Sequence, residues 1–224
     1  MTPPLALDID GTLTRPGGGI DPRVFGPIRE WPAPVVLATG EAFPYPVALC
    51  TFLGIAERVV AENGGVAYAD DDLTLAGDPD AARAVAADLR AAGYDLYGEV
   101  DTVNRWRETE LAVPRDIPVD VVEAVAADHG LSVVDSEFAY HVTSPAVDKG
   151  RGLRTVADIL GIDAGSFIAI GDSANDVEAF AVARRGVAVA NAADEAKTAA
   201  DTVTTGSHAN GVLDVLDRVR GSQA

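Results

Sequence analysis

Short, continuous runs of apolar residues recur along the chain, and several end in a glycine, a hydroxyl or a carboxylate. Continuous rather than alternating apolar positions predict strands buried on both faces, as in a parallel sheet flanked by helices. We therefore expect an α/β fold with a Rossmann-like parallel sheet. The expected strands begin at residue 5 and span 34–38, 58–61, 166–170, 186–190 and 201–204, and the expected helices span 22–29, 46–53, 149–160, 193–200 and 209–220.

A different pattern occupies the middle of the chain. After an expected hairpin at 66–75, Asp78 and Pro79 begin an alanine-rich helix that ends near Gly93. The order that follows is strand, strand, helix, strand, strand, at residues 94–99, 108–113, 118–129, 131–134 and 138–143. This αββαββ order predicts a small α+β domain inserted in the larger fold. We assign residues 77–146 to the insertion and residues 1–76 and 147–224 to the core.

Composition narrows the class of protein. Of the 224 residues 48% are hydrophobic, and the formal net charge is -18. A strongly acidic chain without a basic cluster argues against nucleic acid and anionic membranes as partners. No apolar run approaches the length of a membrane span, and the lone Cys50 has no partner for an internal disulfide. We expect a soluble, cytoplasmic protein that is a monomer or a homodimer.

Lysine is scarce in this chain. The 17 basic residues include only two lysines, Lys149 and Lys197, and aspartate is the commoner acid. This composition resembles that of proteins from organisms with molar salt in their cytoplasm. At about 1 M salt the screening length falls to about 3 Å, which weakens repulsion among surface carboxylates. We therefore expect the protein to lose stability at low salt.

Two carboxylates follow the first apolar run. Asp8 and Asp10 are separated by one residue and followed by Gly11 and Thr12. Two carboxylates this close repel each other unless a cation, a shared proton or hydrogen bonds compensate. A hard cation such as Mg²⁺ prefers oxygen ligands of this kind. The same residues can also form an ordinary turn after a strand, so the pair alone does not decide between a metal site and a loop.

Further polar residues follow other predicted strands. Thr39 follows the second strand, Asp172 and Asp176 follow the run at 166–170, and Lys149 begins a helix. The carboxyl ends of parallel strands meet at one edge of a sheet, where ligands bind, so these side chains are expected to converge. Taken singly, Thr39 fits a turn, Lys149 a surface charge, and the two aspartates fit helix capping.

Four motifs in order resemble those of the haloacid dehalogenase superfamily of phosphohydrolases. They are Asp-Ile-Asp-Gly-Thr at residues 8–12, Thr39, Lys149, and Gly-Asp-Ser-Ala-Asn-Asp at residues 171–176. The resemblance covers the whole chain, and the insertion is similar to the C2-type cap of the family, with a brevity like that of the small archaeal phosphoglycolate phosphatases. Retention of Lys149 in a chain that otherwise uses arginine agrees with a need for a compact ammonium group.

The resemblance implies a role for each motif. Asp8 would be the nucleophile that forms an aspartyl phosphate, and Asp10 the general acid and then base. Thr39 and Lys149 would hold the phosphoryl oxygens. The Mg²⁺ ligands would be Asp8, the Asp10 carbonyl and Asp172, with Asp176 as a direct or indirect ligand.

Substrate contacts are less sharply indicated. Gly40, Asn175 and Asn191 resemble residues of the family's substrate loops, although turns also use them. Related sequences commonly carry arginine where this chain has Glu41, so a contact made there is expected to be absent. Candidate cap residues for substrate selection are Arg105, Arg107, His141 and Thr143, and each is also compatible with a structural role.

The expected activity is Mg²⁺-dependent hydrolysis of a small phosphomonoester, with 2-phosphoglycolate as the first choice. Sugar-phosphate hydrolysis is the alternative within the family. A phosphorylatable receiver-like signalling module is the alternative from another class, since it also combines acidic residues, a threonine and a lysine with Mg²⁺. An inactive binding protein is a third possibility, which the complete set of motif residues disfavours.

Overall fold

The computed structural model describes residues 2–136 and 138–221. The strands are β1 (Leu5–Leu7), β2 (Val35–Ala38), β3 (Val59–Ala61), β4 (Val66–Ala69), β5 (Asp72–Leu75), β6 (Leu111–Val113), β7 (Ser132–Asp135), β8 (Tyr140–Thr143), β9 (Ile168–Gly171), β10 (Arg185–Ala188) and β11 (Thr202–Val203). The helices are α1 (Phe25–Arg29), α2 (Pro44–Leu53), α3 (Pro79–Ala91), α4 (Val119–Asp128), α5 (Lys149–Ile159), α6 (Val177–Val182), α7 (Asp194–Ala199) and α8 (Ala209–Gly221).

The larger sheet has eight strands in the order β11-β10-β9-β1-β2-β3-β4-β5. Neighbours from β11 to β3 are parallel, whereas β4 and β5 extend the edge as an antiparallel hairpin. The predicted α/β class is confirmed. Because β1 lies between β9 and β2, the loops that follow these three strands are neighbours at the carboxyl edge of the sheet.

Both faces of this sheet are covered, as the continuous apolar runs predict. Leu5 and Leu7 of β1 belong to an apolar cluster that includes Val212 of α8. Ala6 points to the opposite face, into a second cluster with Leu153 of α5 and Phe180 of α6. Alternate residues of one strand therefore enter two separate cores.

A second, antiparallel sheet lies between β5 and α5 in the chain, with strand order β6-β8-β7. Its residues Leu111 and Val142 form a third apolar cluster with Leu89 of α3 and Val122 of α4. The helices therefore pack on one face of the small sheet. His141, which alternates with Val142 along β8, points to the other face.

One predicted strand is wrong. Residues 94–99 form turns instead, so the described order of the small unit is αβαββ and its sheet has three strands. Gly93, Tyr97 and Gly98 have φ values of 93°, 87° and 80°, and the Asp95 side chain accepts a hydrogen bond of 2.7 Å from the Gly98 amide. Leu96 is buried, so its apolar character reflects burial of a turn rather than strand pairing.

The strand expected at 108–113 begins only at Leu111. The amides of Glu108 and Thr109 donate hydrogen bonds of 2.8 and 2.7 Å to the side chain of Glu62. Their donors are therefore occupied by a side chain that follows β3, and strand pairing starts after them.

Candidate active site

The loops after β1, β2 and β9 bring the motif residues together. Asp8 follows β1, Thr39 follows β2 and Asp172 follows β9, and Lys149 is the first residue of α5. The Asp8 amide donates to the Ile170 carbonyl of β9 at 2.9 Å, which fixes the start of the first loop. The convergence expected at the carboxyl edge of the sheet is what the structure has.

Lys149 is the central cation of this cluster. Its side chain is 1% exposed, and its Nζ donates to Asp8 Oδ1 at 2.8 Å and to Asp176 Oδ1 at 2.7 Å. Burial alone lowers the pKa of Lys149, but the charges of Asp176 and Asp8 outweigh it and raise the pKa. Lys149 therefore carries its charge at neutral pH, in a position defined by two carboxylates.

Close packing of α5 places that lysine. A Cβ atom on Gly150 would lie 2.3 Å from the Glu178 carbonyl oxygen, and one on Gly152 would lie 2.4 Å from Val60 Cγ1. Both contacts are far inside van der Waals distance. The two glycines therefore allow the first turn of the helix to approach β3 and α6.

Asp176 organises the loop after β9. Its Oδ2 accepts hydrogen bonds from the amides of Asp172 (2.9 Å) and Ser173 (3.0 Å), while its Oδ1 accepts the Lys149 ammonium. Every oxygen of this carboxylate is therefore occupied. Asp172 Oδ1 accepts a longer hydrogen bond from the Thr12 hydroxyl, at 3.4 Å.

The carboxylates of Asp8 and Asp172 share an unfavourable environment. Burial raises the pKa of Asp8 above its ordinary value, and the charges of Asp176 and Asp172 add to this against the opposing effect of Lys149. Burial and the charge of Asp176 raise the pKa of Asp172 to about 6. Lys149 compensates only part of the negative charge.

This excess of negative charge fits a cation site. One carboxylate oxygen each from Asp8, Asp172 and Asp176 lie within 4.8 Å of one another. Asp8 Oδ2 is buried without a hydrogen-bond partner, although a buried carboxylate oxygen is costly to leave unpaired. Three clustered carboxylates are ligands suited to a hard cation, which would pair the free oxygen.

Asp8 and Asp10 do not share one environment. β1 ends at Leu7, and Gly11 turns the chain with φ 80°, so that Asp8 is buried and Asp10 is exposed at the cleft. A Cβ on Gly11 would lie 2.0 Å from Asp172 Oδ2, which explains glycine at this turn. Partial desolvation still raises the pKa of the Asp10 carboxyl, against the effect of Lys149.

The Thr39 side chain is buried beside the cluster. Its hydroxyl oxygen accepts the Glu41 amide at 3.1 Å, and its own amide donates to the Val60 carbonyl at 2.8 Å. The hydroxyl keeps its hydrogen for another acceptor. A Cβ on Gly40 would lie 3.0 Å from Asn63 Oδ1, so this loop packs closely against the residues that follow β3.

Asn191 and Asn175 make contacts within the protein. Asn191 Nδ2 donates to the Gly11 carbonyl at 2.9 Å, and its Oδ1 accepts the His208 amide at 2.6 Å. Asn175 Nδ2 donates to Asn63 Oδ1 at 2.9 Å. Asn191 therefore supports the loop that carries Asp10, and Asn175 links the loop after β9 to Asn63.

A buried polar cluster joins the two sheets, and we call it the Glu110 junction. It consists of Glu110 with Asn63, Arg107 and His141. Glu110 Oε2 accepts Asn63 Nδ2 at 2.8 Å, and Oε1 contacts Arg107 Nη1 and His141 Nδ1, each at 2.6 Å. Arg107 also donates to the Gly40 carbonyl at 2.8 Å. The small unit is therefore hydrogen-bonded to the loops that follow β2 and β3.

Sequence reasoning missed Glu62, Asn63 and Glu110. Glu62 and Asn63 have positive φ values of 50° and 55°, and Glu62 is 0% exposed. The only sequence signal for Glu62 and Asn63 is the Glu-Asn-Gly-Gly loop at residues 62–65, which contains both. Glu110 is recognisable only once its three partners, from separate segments, are known.

The four candidate cap residues have different surroundings. Arg107 and His141 belong to the Glu110 junction, and the second ring nitrogen of His141 contacts Ser136 Oγ at 2.8 Å. Arg105 lies over the Trp106 ring at 5.9 Å from its centroid. The Thr143 hydroxyl is buried without a hydrogen-bond partner.

Known proteins place this architecture in one family. Residues 109–216 match the haloacid dehalogenase-like hydrolases. Over 226 residues, covering 100% of both chains, the sequence is 57% identical to a phosphoglycolate phosphatase of Natronomonas pharaonis. It is 35% identical over 216 residues to a phosphoglycolate phosphatase of Methanococcoides burtonii, covering 95% of this chain and 94% of the relative. The chain belongs to the haloacid dehalogenase-like hydrolases.

Solved structures agree with this assignment. A Thermoplasma acidophilum protein has a TM-score of 0.83 at 25% identity, covering 98% of this chain and 99% of that one. A haloacid dehalogenase-like hydrolase from Bacteroides thetaiotaomicron has a TM-score of 0.80 at 22% identity, covering 98% and 100%, and shows the shared fold. Among the described residues, no helix has both the length and the apolar character needed to cross a membrane.

Proposed function

We propose that this protein is a Mg²⁺-dependent phosphomonoester hydrolase with Asp8 as its nucleophile. The observation that carries the proposal is the Asp8 carboxylate: Lys149 holds Oδ1, while Oδ2 is buried and has no hydrogen-bond partner. That arrangement orients one oxygen and leaves the other for a cation or a phosphoryl group. Covalent catalysis of this kind divides one difficult displacement into two easier ones.

In the first step an Asp8 oxygen forms a bond to phosphorus while the bond between phosphorus and the ester oxygen breaks. Asp10 donates its proton to the departing alkoxide. The raised pKa of Asp10, which partial desolvation produces, favours the protonated form that this step needs. The alcohol then leaves, and Asp10 is an ionised carboxylate.

In the second step that carboxylate takes a proton from water as the water oxygen attacks phosphorus. The bond between phosphorus and Asp8 breaks, which releases phosphate and restores both residues. Lys149 and the free hydroxyl hydrogen of Thr39 hold phosphoryl oxygens during both steps. Because Gly40 has no side chain, the phosphoryl group can come close to the backbone there. Phosphoryl transfer depends mainly on such positioning and electrostatic stabilisation.

Asp8, Asp172 and the Asp10 carbonyl would hold Mg²⁺. When bound, Mg²⁺ supplies positive charge between the carboxylates and the phosphoryl group. Because the oxygens of Asp176 already accept Lys149 and two backbone amides, we assign Asp176 an indirect role that fixes the loop of Asp172.

The proposed substrate is 2-phosphoglycolate, on the basis of the names of relatives that match the chain over its full length. We propose that residues 77–146 act as the cap and that residues 1–76 and 147–224 form the core. We further propose that Asn175 and Asn191 keep the substrate loops in place through Asn63 and Gly11. Sugar phosphates are the alternative substrates. The receiver-like alternative is disfavoured by membership in the hydrolase family.

The deciding experiment is phosphate release by purified protein in molar KCl, with 2-phosphoglycolate and a panel of sugar phosphates. Turnover that requires Mg²⁺, disappears with EDTA and is absent from Asp8→Asn supports the mechanism. Preference for a sugar phosphate would change the substrate and keep the mechanism. A folded protein that releases no phosphate from any ester, or accumulates a stable phosphoprotein, would contradict hydrolysis.

A further inference from the structure

A large cleft opens beside Asp10, between the core and the inserted unit. Its volume is about 580 Å³, within the range of about 300–1,000 Å³ that accommodates drug-sized ligands. Because Asp10 lines this cleft and is the proposed proton donor to the alkoxide, the cleft is the side on which the leaving group lies. Glycolate is far smaller than this space.

The cleft walls are largely apolar. Leu49 and Phe52 of α2 contribute from the core, and Val103 and Phe138 contribute from the inserted unit. Phe52 and Phe138 are 70% and 67% exposed. Aromatic side chains from two different parts of the fold therefore face the same solvent-filled space, where an apolar ligand would bury surface that both now expose to water.

The charges on the walls are also informative. Asp10 and Glu41 are the charged side chains among the described residues that line the cleft, and no described arginine, lysine or histidine lines it. Arg107 and His141 are committed to Glu110. The lining therefore offers apolar contact rather than ion pairing, which suits an uncharged chain or ring.

We propose that monoesters of uncharged, apolar alcohols form a further substrate class of this enzyme, with Phe138 and Leu49 contacting the leaving group. The inference rests on the proposed phosphatase activity and names what binds beside Asp10. The reaction is the one described above: the ester bond to phosphorus breaks, Asp10 protonates the alkoxide, and water completes the hydrolysis.

The test is the dependence of kcat/KM on chain length for methyl, butyl and hexyl phosphate, with 2-phosphoglycolate as reference, in molar KCl with Mg²⁺. All three alkyl esters have the same charge, so the series isolates apolar contact. If each added methylene is largely buried, kcat/KM rises about twofold to fourfold per methylene. A flat or falling series, with methyl phosphate and 2-phosphoglycolate still hydrolysed, overturns this inference and leaves the proposed function intact.

A pair of variants locates the contact. Phe138→Ala is expected to reduce the hexyl-to-methyl ratio of kcat/KM at least about threefold, since it removes one apolar wall. Leu73→Ala is the matched control, because Leu73 is 50% exposed on the edge strand β5 and does not line the cleft. Its ratio should equal that of the wild type. Equal ratios in both variants would contradict the role of Phe138, and failure to hydrolyse any ester would overturn the function as well.

Discussion

Lys149 and Glu110 are buried residues of opposite charge. They differ in whether all the polar atoms around them have hydrogen-bond partners. Lys149 lies in the core and is held by two carboxylates, yet Asp8 Oδ2 beside it has no partner. Glu110 lies at the junction and accepts Asn63, Arg107 and His141, and no atom of this cluster is among the buried unpaired ones of the described residues. The unpaired Asp8 oxygen suits a site that takes a ligand, whereas the paired atoms of the Glu110 junction suit a structural contact.

The largest expected effect is on kcat, from substitution of Lys149 beside Asp8. Lys149→Met should lower kcat by at least about a thousandfold, because it removes a positioned cation from a site of clustered negative charge. The measurement is steady-state phosphate release, with circular dichroism to verify folding. Lys197→Met is the matched control, since it replaces the other lysine of the chain, on α7. Activity within tenfold of wild type in the Lys149 variant would remove Lys149 from the mechanism.

Substitution within the Glu110 junction should lower the stability of the folded protein. Glu110→Ala leaves Arg107 and His141 without their buried carboxylate, which costs about 3–5 kcal/mol in the free energy of unfolding. Glu108→Ala, at an exposed neighbour, should change that free energy by about 0.5 kcal/mol or less. Denaturant unfolding in molar KCl measures both. A Glu110 variant as stable as the Glu108 variant would show that the junction contributes nothing to folding.

The Glu110 junction should also respond to acid. Burial alone raises the pKa of Glu110, but the hydrogen bond and charge of His141 and the charge of Arg107 lower it below 4.5 in the folded protein. A depressed carboxyl pKa stabilises the fold above the unfolded value, and this contribution disappears as pH falls through the folded value.

The free energy of unfolding of the wild type should therefore exceed that of Glu110→Gln at neutral pH. The gap should narrow only below about pH 4.5 as Glu110 becomes protonated. Unfolding curves from neutral pH to about pH 3 measure it. A gap that is constant across this range would mean that the charge of Glu110 has no part in the difference.

The smallest expected effect concerns Asn63, which links the Glu110 junction to the loop after β9. Asn63 joins Glu110 to Asn175, and its φ of 55° makes glycine the replacement that keeps the backbone without strain. Asn63→Gly should lower stability by about 2 kcal/mol and kcat/KM by about fivefold, as expected for the loss of its hydrogen bonds to Glu110 and Asn175. Asn210→Gly is the comparison at an exposed asparagine. If kcat/KM stays at the wild-type value, the Glu110 junction is not coupled to the loops that carry Asp8 and Asp172.

The same contrast shows what could be predicted from sequence. Asp8, Thr39 and Asp172 could be placed together because apolar runs predict parallel strands, and parallel strands collect the residues that follow them at one edge. Lys149 begins a helix and was assigned to the site through its resemblance to the family motif. The Glu110 junction could not, because its members come from three segments whose meeting depends on how the inserted unit packs. The turn at 94–99 was predicted as a strand because its residue types, which include Tyr94, Leu96 and Tyr97, do not reveal the positive φ of Tyr97.

The scarcity of lysine has a practical consequence for chemical modification. Lys149 is 1% exposed and paired with two carboxylates, whereas Lys197 on α7 is partly exposed. Within residues 2–136 and 138–221, amine-directed reagents therefore have a single accessible lysine, which suits attachment of a dye or a solid support at one defined position. Any slower labelling of Lys149 would report the rate at which the folded centre opens, so one mass spectrometric time course would read both events.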